Sequence, residues 1–247
     1  MDEQVLLLDL GNSGLKAAWW QQGRWSEILR FGYADALKEL FDVVCQSSPP
    51  SRVLVSSVAP SAVEAALTEG VRSLWGVTPR FAETTDTACG VTNGYRQPGE
   101  LGVDRWMALI GAHHQAPSLQ CVVDCGTAVT IDVLDAEGCH GGGMIIPGVS
   151  AMRRCLADHT GLVIEPEETG SFLGHGTSEC VATGVVNAVA SLVDSAARFG
   201  AESAGESARV VLTGGDAELI ATRLDAPAVH KPRLVMDGLA VWAGLGI

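Results

Sequence analysis

Val122-Val123-Asp124-Cys125-Gly126-Thr127-Ala128-Val129-Thr130-Ile131-Asp132-Val133 is an apolar run that reaches a carboxylate, breaks at a glycine and returns as an alternating strand. That pattern predicts a β-hairpin whose tight turn carries Asp, Gly and Thr. Leu6-Leu7-Leu8-Asp9-Leu10-Gly11-Asn12-Ser13-Gly14-Leu15-Lys16-Ala17 says nearly the same thing. Asp9 and Asp124 lie 115 positions apart (124 − 9). Two copies of one hairpin in one chain predict two related lobes.

The length of 247 residues suits one or two domains. The repeat favours two, an N-terminal lobe over 1–116 and a C-terminal lobe over 117–247, with Ala116-Pro117-Ser118 at the boundary. Apolar residues make up 47% of the chain, ample for a core. The net charge of −13 excludes broad nucleic-acid binding, which needs a basic footprint. It leaves room for an anionic substrate, because a few backbone N–H groups and basic side chains can hold a phosphate. No apolar run approaches the roughly 20 residues of a bilayer span. Met1-Asp2-Glu3-Gln4 is acidic, unlike a basic leader. The expectation is a cytoplasmic protein with no membrane and no nucleic-acid partner. The seven cysteines contain no Cys-x-x-Cys, so they read as reduced, partly buried thiols rather than zinc ligands.

In chain order, residues 5–9, 15–20 and 25–31 predict three antiparallel strands. A helix follows over about 34–45, with Leu37, Leu40, Phe41 and Val44 on one stripe. Residues 52–58 read as a buried strand. Ser61 caps a second helix over about 62–74, and 80–83 form a short strand. This order is that of a ribonuclease H-like lobe. The long polar stretch 84–101 has little periodicity, and loops of that length are usually functional. It leads into a helix over about 106–114. The second lobe opens with strands at 119–124, 128–134 and 138–146, then a helix after Pro147-Gly148. A polar, irregular stretch spans 160–176. The helix over about 178–199 is apolar nearly all round, which predicts burial between elements or subunits and hence a homodimer. A strand at 209–212 runs into Thr213-Gly214-Gly215-Asp216, and residues 234–245 close the chain as an apolar helix.

The turn Gly11-Asn12-Ser13-Gly14 lets backbone N–H groups converge on an anion without Cβ obstruction. Ser13 adds a donor and Lys16 a charge. A bare Asp9 carboxylate would repel phosphate, so it works through Mg²⁺ or water. With Asp124-Cys125-Gly126-Thr127 and Thr213-Gly214-Gly215, these pieces resemble the two phosphate segments and the adenosine segment of the actin, hexokinase and Hsp70 superfamily. The implied fold is two ribonuclease H-like lobes of the actin-like ATPase fold, each a mixed α/β sheet with helices, and a nucleotide cleft between them.

Further residues narrow the resemblance. They are Asp9-Leu10-Gly11-Asn12-Ser13, Gly90-Val91-Thr92-Asn93-Gly94-Tyr95 with Pro98, Leu101-Gly102-Val103-Asp104-Arg105, Asp124-Cys125-Gly126-Thr127-Ala128-Val129-Thr130 and Ile146-Pro147-Gly148. In this order they resemble the type III pantothenate kinase family, also known as the Bvg accessory factor family, over nearly the whole chain. The resemblance implies transfer of the ATP γ-phosphate to pantothenate, with Mg²⁺, a monovalent cation (K⁺ or NH₄⁺) and a homodimer. It implies that Asp9, Leu10, Gly11, Asn12, Ser13, Gly14, Leu15 and Lys16 hold the ATP phosphates and metal, and that Thr127 contacts ATP. Tyr95, Gly102, Val103, Asp104 and Arg105 would contact pantothenate, with Asp104 as the base. Asp124 would bind the monovalent cation. Thr177 would be a further pantothenate contact, although this chain carries His175-Gly176 where many relatives carry Lys-Asn.

Elementary chemistry is compatible with these roles and also with plainer ones. A carboxylate at the start of a helix is favoured by about 0.3–1 kcal/mol, so Asp104 is equally placed to cap the helix. Arg105 is either the partner of a substrate carboxylate or a solvated helix-face charge, and Tyr95 is either a substrate contact or packing. Asp124 beside phosphates needs a cation, or else it hydrogen-bonds its own turn. The alternative function is a non-catalytic regulator on the same fold.

Overall fold

The strand β1 (Gln4–Leu10) is buried along nearly its whole length because it lies in the middle of a sheet. The computed structural model describes residues 3–32, 35–45, 47–163 and 171–247. The chain divides into two units, Met1–Gln115 with Arg233–Ile247, and Ala116–Pro232.

In the first unit β1 pairs antiparallel with β2 (Gly14–Gln21). The expected third strand is two short pieces, β3 (Arg24–Trp25) and β4 (Leu29–Gly32), both paired with β2. The break falls at Ser26, whose hydroxyl accepts from the Trp19 N–H at 3.0 Å in place of a ladder carbonyl. The helix α1 (Ala36–Val44) buries Ala36, Leu40 and Val44, one stripe at helical spacing. The strand β5 (Arg52–Ser57) runs parallel to β1 on its other side. The helix α2 (Ser61–Trp75) starts after Pro60, so Ser61 lies inside its first turn rather than capping it. β6 (Arg80–Phe81) completes the sheet, order β3-β2-β1-β5-β6. One sheet face packs Leu6, Leu8, Val53 and Val55 against α1 and α2.

The stretch 84–101 is not wholly irregular. It folds as a small hairpin, β7 (Thr87–Ala88) and β8 (Val91–Thr92), followed by a 3₁₀ turn at Pro98–Glu100. Cys89 and Gly90 supply the two positive φ angles, 51° and 83°, that a tight two-residue hairpin turn requires. The helix α3 (Val103–Gln115) follows and buries Arg105 through Ala112 without interruption.

The second unit repeats the plan. β9 (Gln120–Cys125), β10 (Ala128–Leu134) and β11 (His140–Pro147) form the antiparallel meander. The helices α4 (Val149–Thr160) and α5 (Thr177–Ala204) follow. Next come β12 (Arg209–Thr213), the short α6 (Ala217–Ala221) and β13 (Ala228–His230), giving the order β11-β10-β9-β12-β13. Part of the expected irregular stretch 160–176, namely 164–170, lies outside the described residues. α5 is long and apolar enough to cross a membrane by length and composition, but half of its most apolar window is buried. Val185, Val186, Val189 and Val193 form the unit's core with Val123, Ile131 and Leu212, as a core helix does. Among the seven cysteines, all free, Cys121 and Cys125 are buried and five are exposed, more than composition suggested.

One expectation is corrected. The final helix, α7 (Leu234–Trp242), does not belong with 117–232 but with the first unit. Glycines permit it to dock on α3. A Cβ on Gly238 would stand 1.7 Å from the Met107 carbonyl oxygen, and one on Gly111 would stand 2.5 Å from that of Leu234. Gln115 Nε2 donates to Asp237 Oδ2 at 3.0 Å, Arg52 donates to the Ala243 carbonyl at 2.9 Å, and Arg80 stacks on Trp242.

Candidate active site

The β1–β2 register places Asp9 opposite Lys16 and closes on the pair Leu10 and Leu15. The Gly11 N–H donates to the Gly14 carbonyl at 3.0 Å, leaving Asn12 and Ser13 exposed at the tip. Lys16 Nζ stands 3.2 Å from Asp9 Oδ2, with the carboxylate nearly buried and the ammonium a quarter exposed. Neither Gly11 nor Gly14 has a positive φ. Gly14 is needed for another reason: its Cβ would meet the Phe31 carbonyl oxygen at 2.4 Å, so β4 could not pair at that position.

The α3 N-terminus faces the same part of this unit. Asp104 is the second residue of α3, and its Oδ1 accepts from the Arg105 N–H at 2.8 Å. That oxygen would lie 2.6 Å from a Cβ on Gly102, so only glycine admits the carboxylate in this position. Burial pushes the Asp104 carboxyl above the usual range; the Arg105 N–H opposes this, the Asp9 charge adds to it and the Arg105 guanidinium opposes it. Asp9 and Asp104 therefore feel each other, the arrangement in which a buried carboxylate gains proton affinity.

Arg105 is only 6% exposed, so it is not a solvated helix-face charge. Its Nη1 donates to the Tyr95 hydroxyl at 2.8 Å. Asn93 fixes the loop carrying Tyr95: its side-chain oxygen accepts from the Tyr95 N–H, and its amide donates to the Thr85 and Pro98 carbonyls. Asn93 had no role in the sequence reading; its place two residues before Tyr95, where an Asx turn forms, was the available signal. Val103 opens α3, and the Arg105–Tyr95 hydrogen bond joins the loop carrying Tyr95 to this helix start at Gly102–Arg105.

In the second unit, Asp124 is opposite Thr130 on β10 and Thr213 on β12. Glycines surround its carboxylate: Oδ1 lies 3.4 Å from the Cβ position of Gly126 and 2.5 Å from that of Gly214, whose φ is +94°. Any side chain there would fill the space beside the carboxylate. Thr127 is exposed at the turn, where its carbonyl accepts from the Gly148 N–H at 3.0 Å. Asp216, also missed from the sequence, donates its N–H to the Cys125 carbonyl at 3.0 Å. Burial raises its carboxyl, and Arg153 on α4 opposes that rise. Thr177 is the exposed first residue of α5, where the His175 N–H donates to Glu179 Oε2 at 2.8 Å and closes the turn.

Among the described residues no group of three or more His, Cys, Asp or Glu side chains could hold a metal alone. That donor set still fits Mg²⁺, which takes one or two carboxylates and completes its shell with phosphates and water. Asp9, nearly buried at the end of β1 beside the Gly11–Gly14 turn, is such a carboxylate.

A solved structure of MreB 5 of Spiroplasma citri bound to AMPPNP superposes with a TM-score of 0.52 at 11% identity, covering 98% of this chain and 96% of that one. A Baf family transcriptional activator from Campylobacter jejuni superposes at 0.63 with 19% identity over 97% of both chains. At those identities the likeness carries the fold and not the activity. The two mixed sheets, each with an aspartate before a glycine turn, give this chain the actin-like ATPase fold. Residues 5–198 match the model of the type III pantothenate kinase family. The type III pantothenate kinase of Halorhodospira halophila is 37% identical over 246 residues, covering 96% of this chain and 97% of the relative. The chain belongs to the type III pantothenate kinase family.

Proposed function

We propose that this chain transfers the γ-phosphoryl group of ATP to the primary hydroxyl of pantothenate, giving 4′-phosphopantothenate, the first step toward coenzyme A. The observation that supports it most is the Asp104–Arg105 pair at the start of α3, with Arg105 bonded to Tyr95. Arg105 takes the pantothenate carboxylate, and Tyr95, Gly102 and Val103 shape the remaining contact. The substrate hydroxyl then points at Asp104. Its oxygen forms the bond to the γ-phosphorus, the bond from that phosphorus to the β–γ bridging oxygen breaks, and ADP leaves with the electron pair. The hydroxyl proton passes to Asp104, whose raised proton affinity suits it to receive it. In a loose transition state that transfer is late, so orientation matters as much as basicity.

Residues 9–16 hold the phosphates, with Lys16 as the cation and the Gly11–Gly14 turn offering backbone N–H groups, and Thr127 is a further ATP contact. Asp9 would hold Mg²⁺ through its carboxylate oxygen, and the bound metal would offset phosphate charge. K⁺ or NH₄⁺ belongs at Asp124. Thr177 contributes a further pantothenate contact. The enzyme works as a cytoplasmic homodimer, through the apolar cleft of about 480 Å³ between α4 and α5, where Met152, Leu156 and Val181 line the walls. The regulator reading has no observation of its own.

The test is ADP release followed with a coupled assay, with and without pantothenate. Pantothenate-dependent ADP formation, with a product one phosphate heavier, supports the reading. ADP formation that pantothenate leaves unchanged would overturn it.

A further inference from the structure

Asp9 and Ser56 are register neighbours on the parallel strands β1 and β5. Asp9 and Lys16 are register neighbours on the other side. Lys16, Asp9 and Ser56 therefore form one row across three adjacent strands, with strands about 4.8 Å apart. The row lies on the sheet face opposite Leu6, Leu8, Val53 and Val55. Two residues beyond Ser56, Val58 Cγ1 comes within 3.9 Å of the Cβ position of Gly102, which places this face under the start of α3.

Two facts about this row are complementary. The Ser56 side chain is fully buried, and its hydroxyl has no hydrogen-bond partner among the described residues. Asp9 is 5% exposed, and Lys16 Nζ donates to its Oδ2 at 3.2 Å. A buried carboxylate has room for several donors, and buried polar groups are nearly always satisfied. An orphan donor thus sits next to an acceptor with unused capacity. The second unit repeats the pattern, since Asp124 has Thr213, another buried hydroxyl residue, as its neighbour on the parallel strand.

We propose that Ser56 is a positioning residue for Asp9, taking over its carboxylate when Lys16 turns to the nucleotide phosphates. Lys16 cannot serve two anions equally, and its move toward phosphate takes from Asp9 a donor that a metal on the other carboxylate oxygen does not replace. A buried carboxylate left so would oppose nucleotide binding. The Ser56 hydroxyl, by rotation about χ1 or through one water, donates to Asp9 from the opposite side and holds it in place. This rests on the reading of residues 9–16 as the phosphate site, not on pantothenate as the substrate.

The experiment measures Mg²⁺–AMPPNP binding by calorimetry, without pantothenate, on wild type, Ser56→Ala, Ser56→Cys and Ser56→Thr. The exchange operates only in the bound state, so the melting temperature of ligand-free protein should hold. Kd should rise about five- to tenfold in the Ala and Cys variants, the effect of one hydrogen bond. Ser56→Thr, which restores the hydroxyl, should recover most of it. In a Lys16→Ala background the Ser56→Ala effect should vanish, because nothing is exchanged. Cys is nearly isosteric, so it reports even where Ala fails to fold. Unchanged Kd in Ser56→Ala or Ser56→Cys overturns the proposal. So does a Kd loss matched by an equal loss of ligand-free stability, or an undiminished loss in the Lys16→Ala background. Wild type that binds AMPPNP but ignores pantothenate would overturn the substrate reading and leave this result standing.

Discussion

The Arg105 guanidinium donates to the Tyr95 hydroxyl at 2.8 Å and lies 5.5 Å from the centre of the same ring. A buried cation is thus held by both the edge and the face of one aromatic side chain. Tyr95→Phe keeps the ring and removes the acceptor. KM for pantothenate should rise about tenfold or more with kcat nearly unchanged, as for one lost hydrogen bond to a charged group. Arg105→Lys should cost more, because an ammonium cannot fork to a carboxylate. Steady-state kinetics check both, and an unchanged KM in Arg105→Lys would remove this residue from the substrate site.

Asp104→Asn separates catalysis from stability. Turnover should fall about 10²–10⁴-fold. The folded protein binds the Asp104 proton more tightly than the unfolded chain, because burial raises the pKa above 3.8. Well above both pKa values the ionised buried group therefore weakens the fold, and the penalty fades as pH falls through the folded pKa. Asp104→Asn should melt a few degrees higher at pH 8, with the advantage shrinking toward pH 4. Thermal melts across that range test the sign.

A K⁺ titration at constant ionic strength tests Asp124. Activity should depend on K⁺ or NH₄⁺ and be weak in Na⁺. Asp124→Asn should blunt that response and weaken ATP with it, since the two bindings would be linked. Equal wild-type activity in K⁺ and in choline would move the cation elsewhere or remove it.

The exposed apolar residues of the second unit bear on assembly. Phe172 and Leu173 are 68% exposed, and Leu156 lines the α4–α5 cleft at 39%. Large apolar side chains left exposed in this way suit an association surface. Light scattering should show a dimer at micromolar concentration, and Leu156→Asp with Phe172→Asp should yield monomers. Wild type that is already monomeric would refute the homodimer.

Gly238→Ala should destabilise the first unit by about 1–3 kcal/mol or more, the range for forcing atoms into a packed contact. Its Cβ would penetrate the Met107 carbonyl. Urea unfolding reads it.

The sequence made the two hairpins legible because each joins an apolar run to Asp-x-Gly, and their strands pair as read. It could not show why Gly14 is glycine, since the Phe31 carbonyl that demands it lies seventeen positions on (31 − 14). The β7–β8 hairpin escaped because Cys89-Gly90 lacks the Asn-Gly or Asp-Gly signature of its turn. Helical periodicity around 234–245 revealed an apolar helix but not its partner. Only the three-dimensional meeting of Gly111 and Gly238 decides that α3 receives it. Asp104 and Arg105 were legible as a pair, while the burial that distinguishes Arg105 from a surface charge was not.

The return of Arg233–Ile247 to the first unit bears on the order of folding. Residues 116–232 are contiguous, so the second unit has its whole sequence before the first does. The first unit must hold α3 without its companion helix until the final segment leaves the ribosome. Its helix pair is joined across more than a hundred intervening residues, and such distant closure is slow. During that interval the face of α3 that meets Gly238 stays uncovered, an exposure that chaperones and proteases read. Trimming the chain after Pro232 should therefore spare the second unit's own melting transition and abolish that of the unit bearing Asp104.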